Sequence, residues 1–246
     1  MGNFKEDIVR TEAFVFDVDG VMTDGGIIPT LDGDFIRRYN AKDGYALAYA
    51  IKMGYKVCII TGGRGKTLEN RLKMLGVTRA YIDCMDKISA LHEYFAEEGI
   101  DPRNAIYMGD DIPDLECMRE VGIPVCPADA AAEVIEASRY VSEFKGGEGA
   151  VRDIVEQVLR ARGDWAKNSE GVTPSRWPPR GKAAAGNGRN GQPRQTGQDP
   201  KKAGSTPANK KTAGRMTGCF HIRRNHIRRR PFTASTRHSP HRGTAG

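Results

Sequence analysis

The sequence predicts an α/β fold, a mostly parallel sheet with helices on both of its faces, and three observations carry that prediction. Short apolar runs alternate with amphipathic ones through residues 1–165, the pattern of strand, helix and strand units. Gly54, Gly76, Gly99 and Gly122 each fall just past a helical run, where a left-handed residue commonly ends a helix. Asp, Thr and Gly residues gather directly after three of the apolar runs, and an open parallel sheet collects its ligands beyond the carboxyl ends of its strands.

In chain order the strand runs are Ala13–Phe16, Lys56–Ile60, 80–83, Ala105–Met108, Ile123–Cys126 and Tyr140–Val141. The helical runs between and after them are 44–53, Lys66–Leu75, Lys87–Glu98, 113–121, 130–136 and 148–160. Residues 25–39 read differently, as a projecting two-stranded hairpin with its turn around Asp32-Gly33. A lone hairpin is marginal in water, so it is expected to pack against something, for instance the same hairpin of another subunit. There is no internal repeat.

Charge divides the chain in two. Lys and Arg number 38 against 31 Asp and Glu, a net +7; from Ala166 onward 18 basic residues face 2 acidic ones, so that stretch carries +16 and residues 1–165 carry −9. Residues 1–165 hold enough apolar runs to bury one core of ordinary domain size. Residues 166–246 are dominated by Gly, Pro, Ser, Thr, Asn, Lys and Arg and have scarcely an apolar cluster, so they are expected to be a basic, disordered extension without a role in function. No apolar stretch approaches a membrane span, and the N-terminus lacks a signal peptide's apolar core, which places the expected protein in the cytoplasm. Cys58, Cys84, Cys117, Cys126 and Cys219 have no metal-finger spacing and read as reduced thiols without a chemical role.

The residues after the strands carry the chemistry. Asp17-Val18-Asp19-Gly20 ends the first strand, Thr61-Gly62-Gly63 the second, and Gly109-Asp110-Asp111, with Asp114, the fourth. Any one of these would be ordinary loop chemistry, since Asp and Gly favour turns; three at one sheet edge are not. Neighbouring carboxylates repel until a cation or proton intervenes, and an all-oxygen donor set suits Mg2+. Asp17, Asp19 and Asp110 are the expected metal ligands. Asp17 is the expected nucleophile toward phosphorus, forming an acyl phosphate. Asp19 lies two positions on, where Gly20 allows a turn, and is expected to be general acid for the departing alcohol and then general base for water. Thr61 offers a hydroxyl, and Gly62 and Gly63 let backbone amides approach phosphate oxygens. Lys87 opens a helix and would offset the charge of nucleophile and phosphoryl group, while Asp111 and Asp114 would orient metal-bound water or Lys87 from further out. Glu148 suits a helix N-terminus and His92 a helix surface; neither needs a function.

In this order the motifs resemble those of the haloacid dehalogenase superfamily: DVDG first, Thr61 second, Lys87 third and GDDIPD fourth. The resemblance implies a Rossmann-like phosphohydrolase fold, and Asp19 in the second acidic position implies phosphatase chemistry. Neither inter-motif gap holds enough residues for a separate cap domain. Over residues 8–165 the chain is similar to the capless members that act on phosphorylated sugar acids, through DVDGVMTDGG, YNAKDGYAL, IITGGR, VCPADAA and GGEGAVRDIVEQVL. That implies hydrolysis of 3-deoxy-D-manno-octulosonate 8-phosphate in lipopolysaccharide biosynthesis, with a nonulosonate 9-phosphate as the alternative substrate.

It further implies a homotetramer in which the hairpins form a shared barrel and each 146–152 segment approaches a neighbour's active site. Substrate contacts are implied for Asp19, Lys87, Gly62, Asn40, Ala41, Lys42, Asp43, Gly44 and Arg71. One departure stands out: many relatives place a basic residue directly after the Thr-Gly pair, where this chain has Gly63 and puts Arg64 one position later. Arg71 is therefore the expected clamp for a sugar-acid carboxylate, and the absent selector at position 63 favours the octulosonate.

A reading from another class is a nucleic-acid-binding protein, carried by the basic cluster at residues 221–230. Because the expected elements of the fold are complete by Leu159, the extension reads instead as read-through or a shifted frame, binding nucleic acid only nonspecifically.

Overall fold

A computed structural model describes residues 3–166 and the backbone of two strand segments further on. In chain order the elements are α1 (Phe4–Asp7), β1 (Ala13–Phe16), β2 (Ile28–Pro29), β3 (Phe35–Ile36), α2 (Ala41–Lys52), β4 (Lys56–Ile60), α3 (Lys66–Leu75), β5 (Arg79–Ile82) and α4 (Lys87–Glu98). There follow β6 (Ala105–Met108), α5 (Leu115–Glu120), β7 (Ile123–Cys126), α6 (Ala132–Ala137), β8 (Tyr140–Val141), α7 (Ala150–Ala161), β9 (Phe220–Arg223) and β10 (His226–Arg229). The main sheet runs β10-β9-β5-β4-β1-β6-β7-β8. The six strands from β5 to β8 are parallel. From β1 the chain steps outward through β4 and β5, then returns to the other side through β6, β7 and β8. That reversal puts a crevice beyond the carboxyl ends of β1, β4 and β6, the place where a doubly wound sheet binds its ligand.

Helices cover both faces, so the central strands are apolar on both sides; every residue of β1, β6 and β7 is buried. The period-two alternation of a strand sorts β1 between two cores. Phe14 and Phe16 join Leu47, Ile59, Leu68, Leu72, Ile154 and Leu159. Ala13 and Val15 join Cys58, Ile60, Leu91, Tyr94, Tyr107 and Met118 on the other face.

Strand positions match the sequence reading closely, and helix starts less so. α2 begins at Ala41, not at position 44, because the Asn40 side chain accepts from Lys42 N at 2.8 Å and caps the helix. In the 113–121 run, Pro113 lies in a 3-10 turn, Ile112–Asp114, and α5 starts only after it. Gly76 and Gly99 are left-handed C-caps as expected. Gly122 is not: it is needed for a close approach, since a Cβ there would stand 2.3 Å from the carbonyl oxygen of Arg103.

The hairpin forms as read, β2 pairing with β3 and Thr30 N bonding Asp34 O at 2.9 Å across the turn. It leans on its own chain. The Asp34 carboxylate accepts from Thr67 N at 3.0 Å and from the Thr67 hydroxyl at 3.2 Å, fastening the hairpin to the first turn of α3.

The expectation that 166–246 is without structure needs correction for two of its segments. β9 pairs antiparallel with β5, Ile82 opposite Phe220 and Ala80 opposite Ile222, and β10 pairs with β9. Both segments carry a central isoleucine, Ile222 opposite Ile227, and β5 would otherwise be an open edge that invites a strand. The remainder of that stretch, Cys219 included, lies outside the described residues.

Asp43 ties α2 to α7: it is buried, and its Oδ1 accepts from Arg152 N at 2.7 Å. Burial pushes its carboxyl from 3.8 up to about 6, with the Arg152 and Gly149 amides pulling the other way. The folded chain therefore holds this proton more firmly than the unfolded one, a contribution to stability present below pH 3.8 and lost as pH rises through about 6. Asp43→Asn is expected to flatten the pH dependence of the urea midpoint across that window; an unaltered slope would contradict the assignment.

Candidate active site

Three strand ends build the site. Asp17 follows β1, and its amide bonds the Met108 carbonyl of β6 at 3.1 Å, so the loop after β1 starts against the strand that delivers Asp110. Gly20 has φ +90, and a Cβ on it would lie 1.9 Å from Asp110 Oδ2. Only glycine accepts that backbone and lets the two acidic loops touch.

Lys87, the first residue of α4, reaches Asp17 Oδ2 at 3.2 Å and Asp114 Oδ1 at 2.8 Å. Asp114 also accepts from the Tyr107 hydroxyl at 2.7 Å and from Asp110 N at 3.2 Å, so both of its oxygens are engaged. Asp17 Oδ1 and Asp110 Oδ1, in contrast, are buried and have no hydrogen-bond donor. Three carboxylates meet one ammonium here, and oxygens of Asp17, Asp110 and Asp114 lie within 4.8 Å of one another.

The electrostatics follow from that imbalance. Burial, then the Asp114 charge, raise the Asp17 carboxyl to about 6 against the pull of Lys87. Burial together with Asp17 and Asp114 raises Asp110 to about 8. Lys87 is held above the ordinary lysine value: burial opposes its charge, but Asp17 and Asp114 outweigh that. Two orphaned, buried carboxylate oxygens and a residual charge of −2 fit a hard divalent cation.

A cavity of about 400 Å³ opens above these groups. The structure brings Asp17, Asp19, Thr61, Gly62, Lys87, Asp110, Asp111 and Asp114 to its wall. Thr61 is buried there, its Oγ1 accepting from Gly63 N at 3.0 Å. Asp19, also expected among the metal ligands, has a charged partner of its own. Its two oxygens accept from Arg37 Nε at 2.6 Å and Nη2 at 3.0 Å, and its side chain stands outside the Asp17, Asp110 and Asp114 cluster. The hairpin, by supplying Arg37, claims that carboxylate.

Asn40, Ala41, Lys42, Asp43, Gly44 and Arg71 do not line this cavity within the chain. Asn40 caps α2 and donates to Gly147 O at 3.3 Å, Asp43 serves α7, and Ala41 and Lys42 are exposed. Arg71 lies over the Tyr39 ring at 5.4 Å and against Gly44, where a Cβ would be 2.4 Å from its Nη2. Gly146 and Gly147 pack on the loop after β1 of the same chain, Gly147 N bonding Val21 O at 3.0 Å.

Sequence reasoning missed Arg37, and it discounted Arg64, which also lines the cavity and lies 5.7 Å from the Phe35 ring. The available signal was the i, i+2 pair Phe35 and Arg37 on one hairpin face; nothing in the sequence says which way that face turns. His92 is on a helix surface 3.5 Å from Glu120, and the four described cysteines are buried and free, as read. Among the described residues no helix is long and apolar enough to cross a membrane.

Comparison with known proteins adds the class and then the family. A family model described as haloacid dehalogenase-like hydrolase matches residues 83–154. The chain is 38% identical over 165 residues to the 3-deoxy-D-manno-octulosonate 8-phosphate phosphatase KdsC of Yersinia pestis, covering 65% of this chain and 88% of that protein. It is 37% identical over 149 residues to KdsC of Escherichia coli strain K12, covering 61% and 79%. The crystal structure of the Yersinia pestis phosphatase superposes with a TM-score of 0.64 at 37% identity, over 65% of this chain and 87% of that one. That of the Moraxella catarrhalis phosphatase, in complex with magnesium, phosphate and KDO, gives 0.63 at 30% identity, over 65% and 92%. The chain belongs to the 3-deoxy-D-manno-octulosonate 8-phosphate phosphatase family of haloacid dehalogenase-like hydrolases.

A divalent cation must displace the proton that Asp110 retains below about pH 8. Apparent Mg2+ affinity is therefore expected to rise steadily from pH 6 to pH 8, with proton release visible by calorimetry in buffers of differing ionisation enthalpy. Asp110→Asn should abolish both signals, and an affinity independent of pH would refute this.

Proposed function

We propose that the chain is a magnesium-dependent phosphatase that cleaves 3-deoxy-D-manno-octulosonate 8-phosphate to the free sugar acid and inorganic phosphate. The observation that carries the reading is the pair of buried, donorless oxygens on Asp17 and Asp110, set beside a lysine shared by Asp17 and Asp114. Relatives named for this activity, and a related structure holding magnesium, phosphate and KDO, support the substrate and the metal.

Asp17 and Asp110 would hold the Mg2+, which supplies positive charge against the phosphoryl oxygens. Asp17 attacks phosphorus, and the bond from phosphorus to the sugar oxygen breaks as Asp19 gives that oxygen a proton. Water then loses a proton to Asp19 and attacks the acyl phosphate, freeing phosphate and restoring the Asp17 carboxylate. Lys87 balances charge on nucleophile and phosphoryl group throughout, kept in place by Asp114, itself anchored by Tyr107. Thr61 and the Gly62 amide face the phosphoryl oxygens. Asp111 lies at the cavity rim, where it would orient water.

A homotetramer completes the site in this reading. Support comes from the hairpin, which leaves Ile28, Leu31 and Ile36 exposed. Asn40 to Gly44 and Arg71 then meet the substrate where subunits adjoin. A cytoplasmic location agrees with buried thiols that form no disulfide among the described residues. In this reading the basic 166–246 stretch takes no part in catalysis and attracts nucleic acid by charge alone.

Asp17→Asn is expected to abolish Mg2+-dependent phosphate release while the far-ultraviolet spectrum is kept; retained turnover would remove the assignment. Offered a panel of sugar-acid phosphates, the protein should release phosphate fastest from the octulosonate, and a preference for a nonulosonate 9-phosphate would reassign the substrate. A chain ending at Ala166 should keep its turnover and lose its salt-sensitive affinity for nucleic acid; a large loss of activity would place the extension in the catalytic machinery.

A further inference from the structure

Arg37 stands 18 residues beyond Asp19 in the sequence, yet it engages both of that carboxylate's oxygens, at 2.6 and 3.0 Å, in a two-pronged pair. Its side chain is only 2% exposed, against 22% for Asp19, which separates it from a solvated surface ion pair of little value. Its remaining terminal nitrogen donates to Arg64 O at 3.3 Å, and its guanidinium carbon lies 5.8 Å from the Phe35 ring centre. The guanidinium is held on every side.

Gly63 is part of the same arrangement. A Cβ there would meet Arg37 Nη2 at 2.9 Å, Asp19 Oδ2 at 3.0 Å and Thr61 Oγ1 at 3.1 Å. Gly63 is not among the residues of positive φ, so it is the room, not the backbone shape, that demands glycine. Both prongs of the fork are in use, which leaves Arg37 an orienting group for Asp19 and not a free anion receptor.

We propose that Arg37 is a positioning residue for the reaction: the hairpin uses it to aim Asp19 at the leaving oxygen, and Gly63 is the space that this clamp requires. The inference rests on the reading of Asp19 as the acid and base of a phosphatase. It makes the hairpin part of the chemical step, since the segment that leads into Arg37 is fastened to α3 through Asp34, Phe35 and Thr67.

The test exploits leaving groups. An alkyl phosphate such as a sugar phosphate needs a proton on its departing oxygen, and 4-nitrophenyl phosphate does not. Single-turnover rates of the first step should fall about 100-fold in Arg37→Ala with the sugar phosphate, and less than about threefold with the nitrophenyl ester, with KM nearly unchanged. Arg37→Lys should recover part of the loss. Gly63→Ala should show the same leaving-group bias more weakly. In an Asp19→Asn background, Arg37→Ala should add no further loss, the non-additivity expected of two residues that act as one.

Equal losses for both esters, additive losses, or an unchanged first step would each overturn the proposal. Thermal melts of every variant separate these results from failure to fold, and Arg37→Lys serves where Arg37→Ala unfolds. If Asp19→Asn itself shows no leaving-group bias, the acid and base reading of Asp19 falls, and this proposal with it. If that bias is present and Arg37→Ala lacks it, the proposal alone falls.

Discussion

Repulsion among Asp17, Asp110 and Asp114 is the constraint on which the rest of this structure turns. Three carboxylates crowd one end of a parallel sheet, two of them pushed toward protonation, and a single ammonium answers them. Such a cluster persists only where the scaffold over-determines it. Here β1 and β6 are adjacent and parallel in register, and they deliver Asp17 and Asp110 side by side. Lys87 comes from the first turn of α4, whose start is fixed by Asp86 capping Ser89 N at 3.2 Å. The outlay in stability is met by the two apolar cores that bury the strands behind the site.

Much of this was legible in the sequence because it is local. A run such as Ala13 to Phe16 ending in Asp-Val-Asp-Gly announces both a buried strand and the loop chemistry after it, and the alternation with helices announces a mostly parallel sheet. Helix beginnings were harder. Asn40 caps α2 four residues before its apolar rhythm starts, and Pro113 sits in a 3-10 turn that periodicity cannot separate from the helix behind it. A cap is decided by one side-chain hydrogen bond, which leaves no period to detect.

What could not be read was every contact made across a long stretch of chain. Nothing near Asp19 in the sequence announces that its carboxylate meets Arg37, from the hairpin. The same contact accounts for the departure at position 63. A residue that looked like a missing selector is the gap into which Arg37 reaches. Asn40 and Asp43 also hold helix ends, work that leaves the same sequence signature as contact with a ligand.

The ribbon added at the far side of the sheet changes what the molecule offers its surroundings. Without β9, the outer border of the sheet would be Arg79 to Ile82, a run whose last three residues are buried and whose free amides and carbonyls suit any passing extended peptide. With the ribbon in place the border becomes His226-Ile227-Arg228-Arg229, a cationic sequence that resists stacking against its own kind. That added ribbon would thus act as a guard against fibrous self-assembly.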